Sequence, residues 1–514
     1  MTRALATGAL AIALLFGLSS AASAGTFSLG VAAGEVTSSS AILWGHADQP
    51  GRVRLELATN GRFRDRRTVA LRATETNDGT VQRRVRGLRP RTRHWFRFRR
   101  GHAGSERGTF VTAPRPRANA TVRFAWTGDT DLNPAPGQSA PFWNDGGVFR
   151  RMRAEQNDFN VHLGDTIYSD SEIPGLGAPA LTVAEKWAKY RVNLENPLLR
   201  ALRRSAGLYS HWDDHEFLAD FSPAEDGPMP GRVLYRRGVR AFRDYAPVRY
   251  TARDGLYRSF RWGKNLALFL LDERSFRSVK ANSGHACDNP KTGRPDLAPT
   301  LPQAARGLID AVLPATGLSA PVSQGCLDTI RSPERRFLGE RQLRRFIKAV
   351  RRSSARFKVV LNELPIQQLY ALPYDRWEGY DHERQRVLRA LSGNVPNVVF
   401  LTTDVHSTLV GDARFRTLEP GGPEPSAILE VSVGPAATES FRAEVDQQGG
   451  QGLGAIVGAA FLGNPPLGFG MRCAVLDRFS YGEVRVTRRA LTITPKDIDG
   501  DPLAGCPALR LRHE

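Results

Sequence analysis

The sequence predicts an α/β protein preceded by a small all-β module, on three observations. Residues 25–114 carry stretches in which apolar and polar side chains alternate with a period of two, separated by Gly, Asn and Pro. From about residue 118 the pattern changes to short apolar runs alternating with helical stripes. Several of those runs stop at a residue type that binds metals, and carboxyl ends of neighbouring parallel strands meet along an edge where ligands bind.

The elements follow in chain order. Arg3, an apolar stretch from Ala9 to Leu18 and the small residues Ala22-Ser23-Ala24 form a secretory leader pattern, with cleavage expected near Ala24. No Arg-Arg pair precedes the apolar stretch, which favours the general secretory route, and the stretch is too short for a membrane anchor. The mature chain is therefore expected to be secreted, in the periplasm or cell envelope. In the β module, Ser40-Ala41-Ile42-Leu43-Trp44 and Val53-Arg54-Leu55-Glu56-Leu57 read as half-buried strands. Leu88 to Phe98 resembles the strand entry of fibronectin type III sandwiches. Ala113-Pro114-Arg115-Pro116-Arg117 reads as a linker, dividing a β-sandwich at 25–114 from a catalytic domain at 118–514. Ser332-Pro333-Glu334 is a helix start leading into an apolar stripe of Leu343, Phe346, Ile347 and Val350. Val387, Leu388 and Leu391 mark another helix. Residues 280–330 read as an excursion loop, and the tail at 484–493 as a closing hairpin.

Composition narrows the partners. The 514 residues are 41% apolar and 24% charged, an ordinary globular balance, and no later segment is apolar for long enough to span a bilayer. The formal net charge of +20 favours anionic partners, but the arginines are spread along the chain and no nucleic-acid module is present. Nucleic acid therefore enters only as a candidate substrate. Cys287, Cys326, Cys473 and Cys506 allow three pairings in an exported chain. The local pairs Cys287–Cys326 and Cys473–Cys506 are favoured, because each would tie down a loop-rich stretch.

The chemistry lies at the ends of the apolar runs. Val122–Trp126 leads to Asp129, Phe159–Leu163 to Asp165 and Tyr168, Phe357–Leu361 to Asn362, and Val398–Leu401 to Asp404 and His406. Leu208–Trp212 leads to Asp213-Asp214-His215-Glu216. Each residue alone has an ordinary explanation in turn or capping chemistry. Together, these carboxylates would repel one another unless a cation sat among them. Asp165 could bridge two cations, and Tyr168 offers a phenolate suited to a trivalent ion such as Fe³⁺. A pair of metals about 3.5–4 Å apart binds phosphate oxygens and activates a bridging water for in-line attack. Asp214 could ligate the second metal, and His215 could protonate a leaving oxygen.

These residues resemble the alkaline phosphatase D (PhoD-like) family of the metallophosphoesterase superfamily. Gly164-Asp165-Thr166-Ile167-Tyr168 matches its Gly-Asp-x-x-Tyr motif, and Trp212-Asp213-Asp214-His215-Glu216 its Asp-Asp-His-Glu motif. Asn362 to Tyr380, Asp404-Val405-His406, and Gly34 with Trp44 match further blocks. The resemblance implies an αββα metallophosphoesterase sandwich behind the β domain and hydrolysis of phosphate mono- and diesters by a metal-bridging hydroxide. It also implies a dinuclear site of Fe³⁺ with Ca²⁺ or another divalent ion. Asp129, Asp165, Tyr168 and His406 would hold the first metal, and Asp165, Asp214, Asn362 and Asp404 the second. His215, Asp214 and Asp165 are the expected catalytic residues. The chain departs from some relatives in having Asp129 where they carry cysteine, and Asn362 where purple acid phosphatases use histidine. The alternatives are a phosphodiesterase specialised for nucleic acid, wall polymer or phospholipid, and a non-catalytic envelope-binding protein. A monomer is expected.

Overall fold

The structure, a computed structural model, describes residues 26–418, 423–464 and 468–513. The expected leader at 1–24 lies outside the described residues. The N-terminal part is built of strands, with one short 3-10 turn at Glu75–Asn77: β1 (Val31–Gly34), β2 (Ser40–His46), β3 (Gly51–Ala58), β4 (Arg67–Ala73), β5 (Thr80–Arg86), β6 (Arg93–Arg100), β7 (Ala103–Gly104) and β8 (Gly108–Val111). Then come β9 (Val122–Thr127), α1 (Gly147–Ala154), β10 (Phe159–Leu163), α2 (Val183–Glu195), α3 (Pro197–Arg203), β11 (Gly207–His211) and α4 (Gly231–Tyr245). The next stretch holds β12 (Arg258–Trp262), β13 (Leu266–Leu270), α5 (Gln303–Val312), α6 (Gln324–Arg331), α7 (Glu340–Arg352), β14 (Phe357–Leu361), α8 (Asp381–Leu391) and β15 (Val398–Thr402). The chain closes through β16 (Thr408–Phe415), β17 (Glu424–Ser432), α9 (Phe441–Gly449), α10 (Leu453–Leu462), β18 (Cys473–Val475), β19 (Ser480–Val486), β20 (Ala490–Asp497) and β21 (Leu509–Arg512).

Two large sheets form an αββα sandwich. One runs β21-β20-β19-β9-β10-β11-β1-β2-β5, with β9, β10 and β11 parallel; the other runs β12-β13-β14-β15-β17-β16-β18, with β13, β14, β15 and β17 parallel. Both are apolar on each face, as sheets covered on both sides must be. Phe124, Val161, Leu268, Val359, Val399 and Val484 share a single core between the sheets. Outside the first sheet, α1 to α4 bury Phe149, Tyr190, Leu199 and Phe242 against Ala125 and Trp212. Outside the second, α7 and α8 bury Leu343, Phe346, Val350 and Leu388 against Val360 and Phe400. The expected single strand edge is thus two edges, one from each sheet.

The β module is partly continuous with this sandwich. β4-β3-β6-β7, with β8 on β6, form a separate antiparallel sheet, but β1, β2 and β5 extend the first large sheet. β1 lies parallel to β11, with Ala33 opposite Gly207. Gly34 allows this junction, since a Cβ there would stand 2.3 Å from Pro247 O. The Trp44 indole N–H donates to Asp244 O at 2.8 Å across the same seam.

Two local expectations are corrected. Residues 280–330 are not all loop, because α5 and most of α6 fall within them. The helix carrying Leu343 starts at Glu340, not at Pro333. The Glu383 carboxylate takes the N–H groups of Phe337 and Leu338, and Gly339 turns with φ +76°, so the intervening chain is held away from helical geometry. Both favoured disulfides, Cys287–Cys326 and Cys473–Cys506, are present. Among the described residues no helix is long and apolar enough to cross a membrane.

Candidate metal centre

The ligand-type residues converge where the carboxyl ends of the two parallel strand sets meet. Asp129 follows β9, Asp165 follows β10, Asp213 and Asp214 follow β11, and Asp404 and His406 follow β15. Asp129, Asp165, Asp404 and His406 all have φ between +45° and +70°. Left-handed backbone at non-glycine residues costs energy and concentrates at sites where side-chain aim matters. Gly128 permits the close turn, because a Cβ there would lie 2.3 Å from Leu163 O.

Potential ligand atoms of Asp129, Asp165 and His406 lie within 4.8 Å of one another, as do those of Asp165, Asp214 and His215, and those of Asp213, Asp214 and Asp404. Asp165 belongs to the first two groups. Tyr168 joins the first, its hydroxyl 2.9 Å from His406 Nε2. Asn362 stands at the end of β14, next to β15. Its Nδ2 donates to Leu364 O and Glu430 Oε1, which turns Oδ1 into a buried acceptor with no hydrogen-bond partner. The same holds for Asp129 Oδ2, Asp213 Oδ2 and Asp214 Oδ1. Buried acceptors are normally satisfied, so the unpartnered oxygens on Asp129, Asp213 and Asp214, which belong to the grouped acids, fit cations as their missing partners.

The electrostatics agree. Burial raises the pKa values of Asp129, Asp165 and Asp404 well above the carboxylate range, and neighbouring acids add to the effect. Asp213 is pushed up to about 7, burial outweighing the Arg274 guanidinium. Burial lowers His406 to about 3, so it is neutral and able to donate a lone pair. For His215, burial lowers the pKa, but Asp170, Asp214 and Asp165 together raise it well above the ordinary value.

Several positioning groups were not anticipated. Asp170 accepts from His215 Nδ1 at 2.7 Å, and the His215 ring stacks on Tyr168 with centroids 4.0 Å apart. Glu216 staples the two acid turns together: it accepts the N–H of Thr166 at 2.6 Å and that of Asp213 at 2.7 Å. Lys186, fully buried, donates to Ser169 Oγ at 2.7 Å and Phe217 O at 2.9 Å, tying the same two turns from behind. Arg274 is also fully buried. It binds Asp213 through Nε and Asp375 through NH1, and its NH2 lies 3.5 Å from Asp214 Oδ1 and 3.9 Å from Asp404 Oδ1. A sequence signal for Arg274 existed, because Leu266–Leu271 is a further apolar run ending in Asp272-Glu273-Arg274. The block at 376–380 is structural: Glu378 accepts the N–H groups of Leu369 and Tyr370, and the Trp377 indole donates to Glu273.

The model of the PhoD-like phosphatase family matches residues 137–493, and that of the PhoD-like phosphatase N-terminal domain matches residues 11–114. The chain belongs to the PhoD-like phosphatase family. It is 26% identical over 433 residues to alkaline phosphatase D of Bacillus subtilis (strain 168), a match covering 74% of this chain and 64% of that protein. The chain thus spans a little under two thirds of that relative's length. Its fold is similar to a solved PhoD structure, at 21% identity and a TM-score of 0.72, covering 95% of this chain and 90% of the other. A purple acid phosphatase from yellow lupin (Lupinus luteus) seeds shares the fold at 11% identity and a TM-score of 0.54, covering 94% and 73%. For a PhoD-like chain, the acidic residues and histidine clustered at the strand ends could hold metal ions.

Proposed function

We propose that this PhoD-like chain is an extracytoplasmic, metal-dependent phosphoesterase acting on phosphate mono- and diesters. The observation that carries the reading is the pair of buried ligand groups sharing Asp165, with unpartnered oxygens on Asp129 and Asp214. Asp129, Asp165, Tyr168 and His406 suit Fe³⁺, because phenolate and carboxylate are hard donors. Asp165, Asp214, Asn362 and Asp404 are all oxygen donors and suit Ca²⁺ or a similar divalent ion. Bound cations would supply Lewis acidity toward a phosphate and cancel the charge of the cluster.

The chain's own groups manage the proton. Asp170 holds His215 Nδ1, leaving Nε2 to deliver a proton to the leaving oxygen. The carboxylates around His215 keep that proton in place until it is needed. Glu216 and Lys186 keep the Asp165 and Asp214 turns in register, which fixes the separation of the two ligand groups. The two disulfides fit an oxidising compartment.

Hydrolysis of a chromogenic monoester and a chromogenic diester, before and after chelation and metal return, tests the proposal. Chelation is expected to abolish both rates and metal to restore them. Activity that survives both chelation and Asp165→Asn would sink it. Metal analysis with the visible spectrum tests the iron assignment: a charge-transfer band should vanish in Tyr168→Phe, and colourless, iron-free, fully active protein would refute it. The +20 charge favours a second reading, a diesterase for an anionic polymer or lipid. Rates on a small monoester, a small diester and a lipid substrate separate the two.

A further inference from the structure

A cavity of about 550 Å³ lies at the seam between the β module and the catalytic sandwich, away from the metal centre. Arg93 of β6 and Arg150 and Arg153 of α1 line it, with Gln156, Asn157 and Ser205. It sits at the amino ends of β10 and β11, whereas Asp165 and Asp213 follow their carboxyl ends. A five-residue strand separates those ends by roughly 17 Å. Thr109 of β8 anchors the seam, its N–H donating to Arg204 O and its hydroxyl to Ser205 O, both at 2.8 Å.

The wall contains no carboxylate. Among the described residues, the guanidinium groups of Arg93 and Arg153 have no ion pair or hydrogen bond, and the nearest acid to Arg150, Asp145, is 3.7 Å away and well exposed. The acids close in sequence are hydrogen-bonded to other groups, although Asp158 also feels the charge of Arg93. Asp158 accepts from Arg91 at 3.1 Å and from the Arg123 N–H at 3.0 Å, and Glu155 accepts from Tyr481 at 2.8 Å and Lys496 at 2.6 Å. The carboxyl ends of α1 and α3 point here, each worth about half a negative charge. Three whole cations exceed them.

From this geometry we infer that the cavity binds a linear phosphate-bearing chain, with Arg93 of β6 and Arg150 and Arg153 of α1 engaging successive phosphates. Forked guanidinium donors suit phosphate oxygens, and the volume exceeds what a single phosphate fills. A chain held there is tethered to the enzyme at a distance from the metal centre, which raises its effective concentration at that centre.

The test uses the full-length Asp165→Asn protein, which is not expected to consume its probe. Probe length is checked after each titration, so hydrolysis that survives Asp165→Asn, which would count against the phosphoesterase reading, is told apart from a failure to bind. The probes are a fluorescent single-stranded 12-nucleotide DNA, a polyphosphate of similar length, and inorganic phosphate. Both chains should bind more tightly than inorganic phosphate. Arg93→Glu, Arg150→Glu and Arg153→Glu together should weaken chain binding at least tenfold and reduce the slope against log salt by about 2, at roughly 0.7 per lost contact. Arg153→Gln alone should weaken it two- to threefold and serves if the triple variant melts early. Equal affinity for both chains would assign the site to bare phosphate spacing, and preference for DNA to a sugar–phosphate chain; either supports the inference. Equal weakening by the same charge reversal at the exposed Arg62, Arg64 and Arg351 would overturn it, as would unchanged binding in the triple variant.

Discussion

Around Asp129, Asp165 and His406 the protein gathers buried acids with no lysine or arginine among the groups that perturb them, whereas around Asp213, Asp214 and Asp404 it inserts the buried guanidinium of Arg274. The first half has no guanidinium or ammonium partner and only His215 as a nearby cation, so it depends more on an external one for charge balance. The second already has a partial one, which also holds Asp375. If metals occupy both halves, as proposed above, the difference predicts unequal retention, with the first held tightly and the second competing with Arg274. That asymmetry is open to attack from several sides.

The largest expected effect is at the shared residue. Asp165→Asn should lower kcat/KM by about 10³-fold on both ester classes, because Asp165 belongs to two candidate ligand groups, one with Asp129 and His406 and one with Asp214 and His215. A loss below tenfold would mean the two halves do not depend on it. Next comes Arg274→Met, expected to cost the metal-free protein about 3–5 kcal/mol in denaturant unfolding by leaving Asp213 without its cation, while Asp375 keeps Arg277. Added Ca²⁺ should recover part of the loss, and calorimetric affinity at the second half should rise. An unchanged melting curve would show that Arg274 carries no balancing role.

His215→Gln should reduce kcat about 10²-fold for esters with poor leaving groups and less for good ones. An equal loss on both would remove the proton-donor role. The smallest effect is one of pH. Each buried acid with a raised pKa binds its proton more tightly folded than unfolded. Its stabilisation is therefore full below the ordinary value near 3.8 and is lost as pH rises through the folded value, about 7 for Asp213. The Tm gap between metal-loaded and metal-free protein should widen from pH 4 to 7. A gap flat in pH would contradict the charge assignment.

The part of this centre legible in sequence is the part that obeys a local rule. Asp129, Asp165, Asp214, Asn362 and Asp404 each follow an apolar run, so strand periodicity alone placed them at sheet edges. Arg274 obeys the same rule after Leu271, but a guanidinium is not a metal ligand, so the run does not single it out. Asp170, Lys186 and Asp375 were not readable, because what matters about them is the partner. Asp170 meets His215 45 positions away, and Arg274 meets Asp375 101 positions away, through folding of separate elements. The helix start at Ser332 failed for a similar reason: a distant carboxylate, Glu383, captured the N–H groups that a local helix would have used. The β module was legible as strands, but not as an extension of the catalytic sheet, since period-two alternation is silent about which strand lies alongside.

That extension has a consequence for anyone trimming the protein. Because β1 lies against β11, a chain cut back to residues 118–513 would leave the β11 backbone with a bare row of donors and acceptors. Such an exposed border is a template for other chains. The catalytic half alone should therefore be lost to aggregation well before any of its ligands is disturbed.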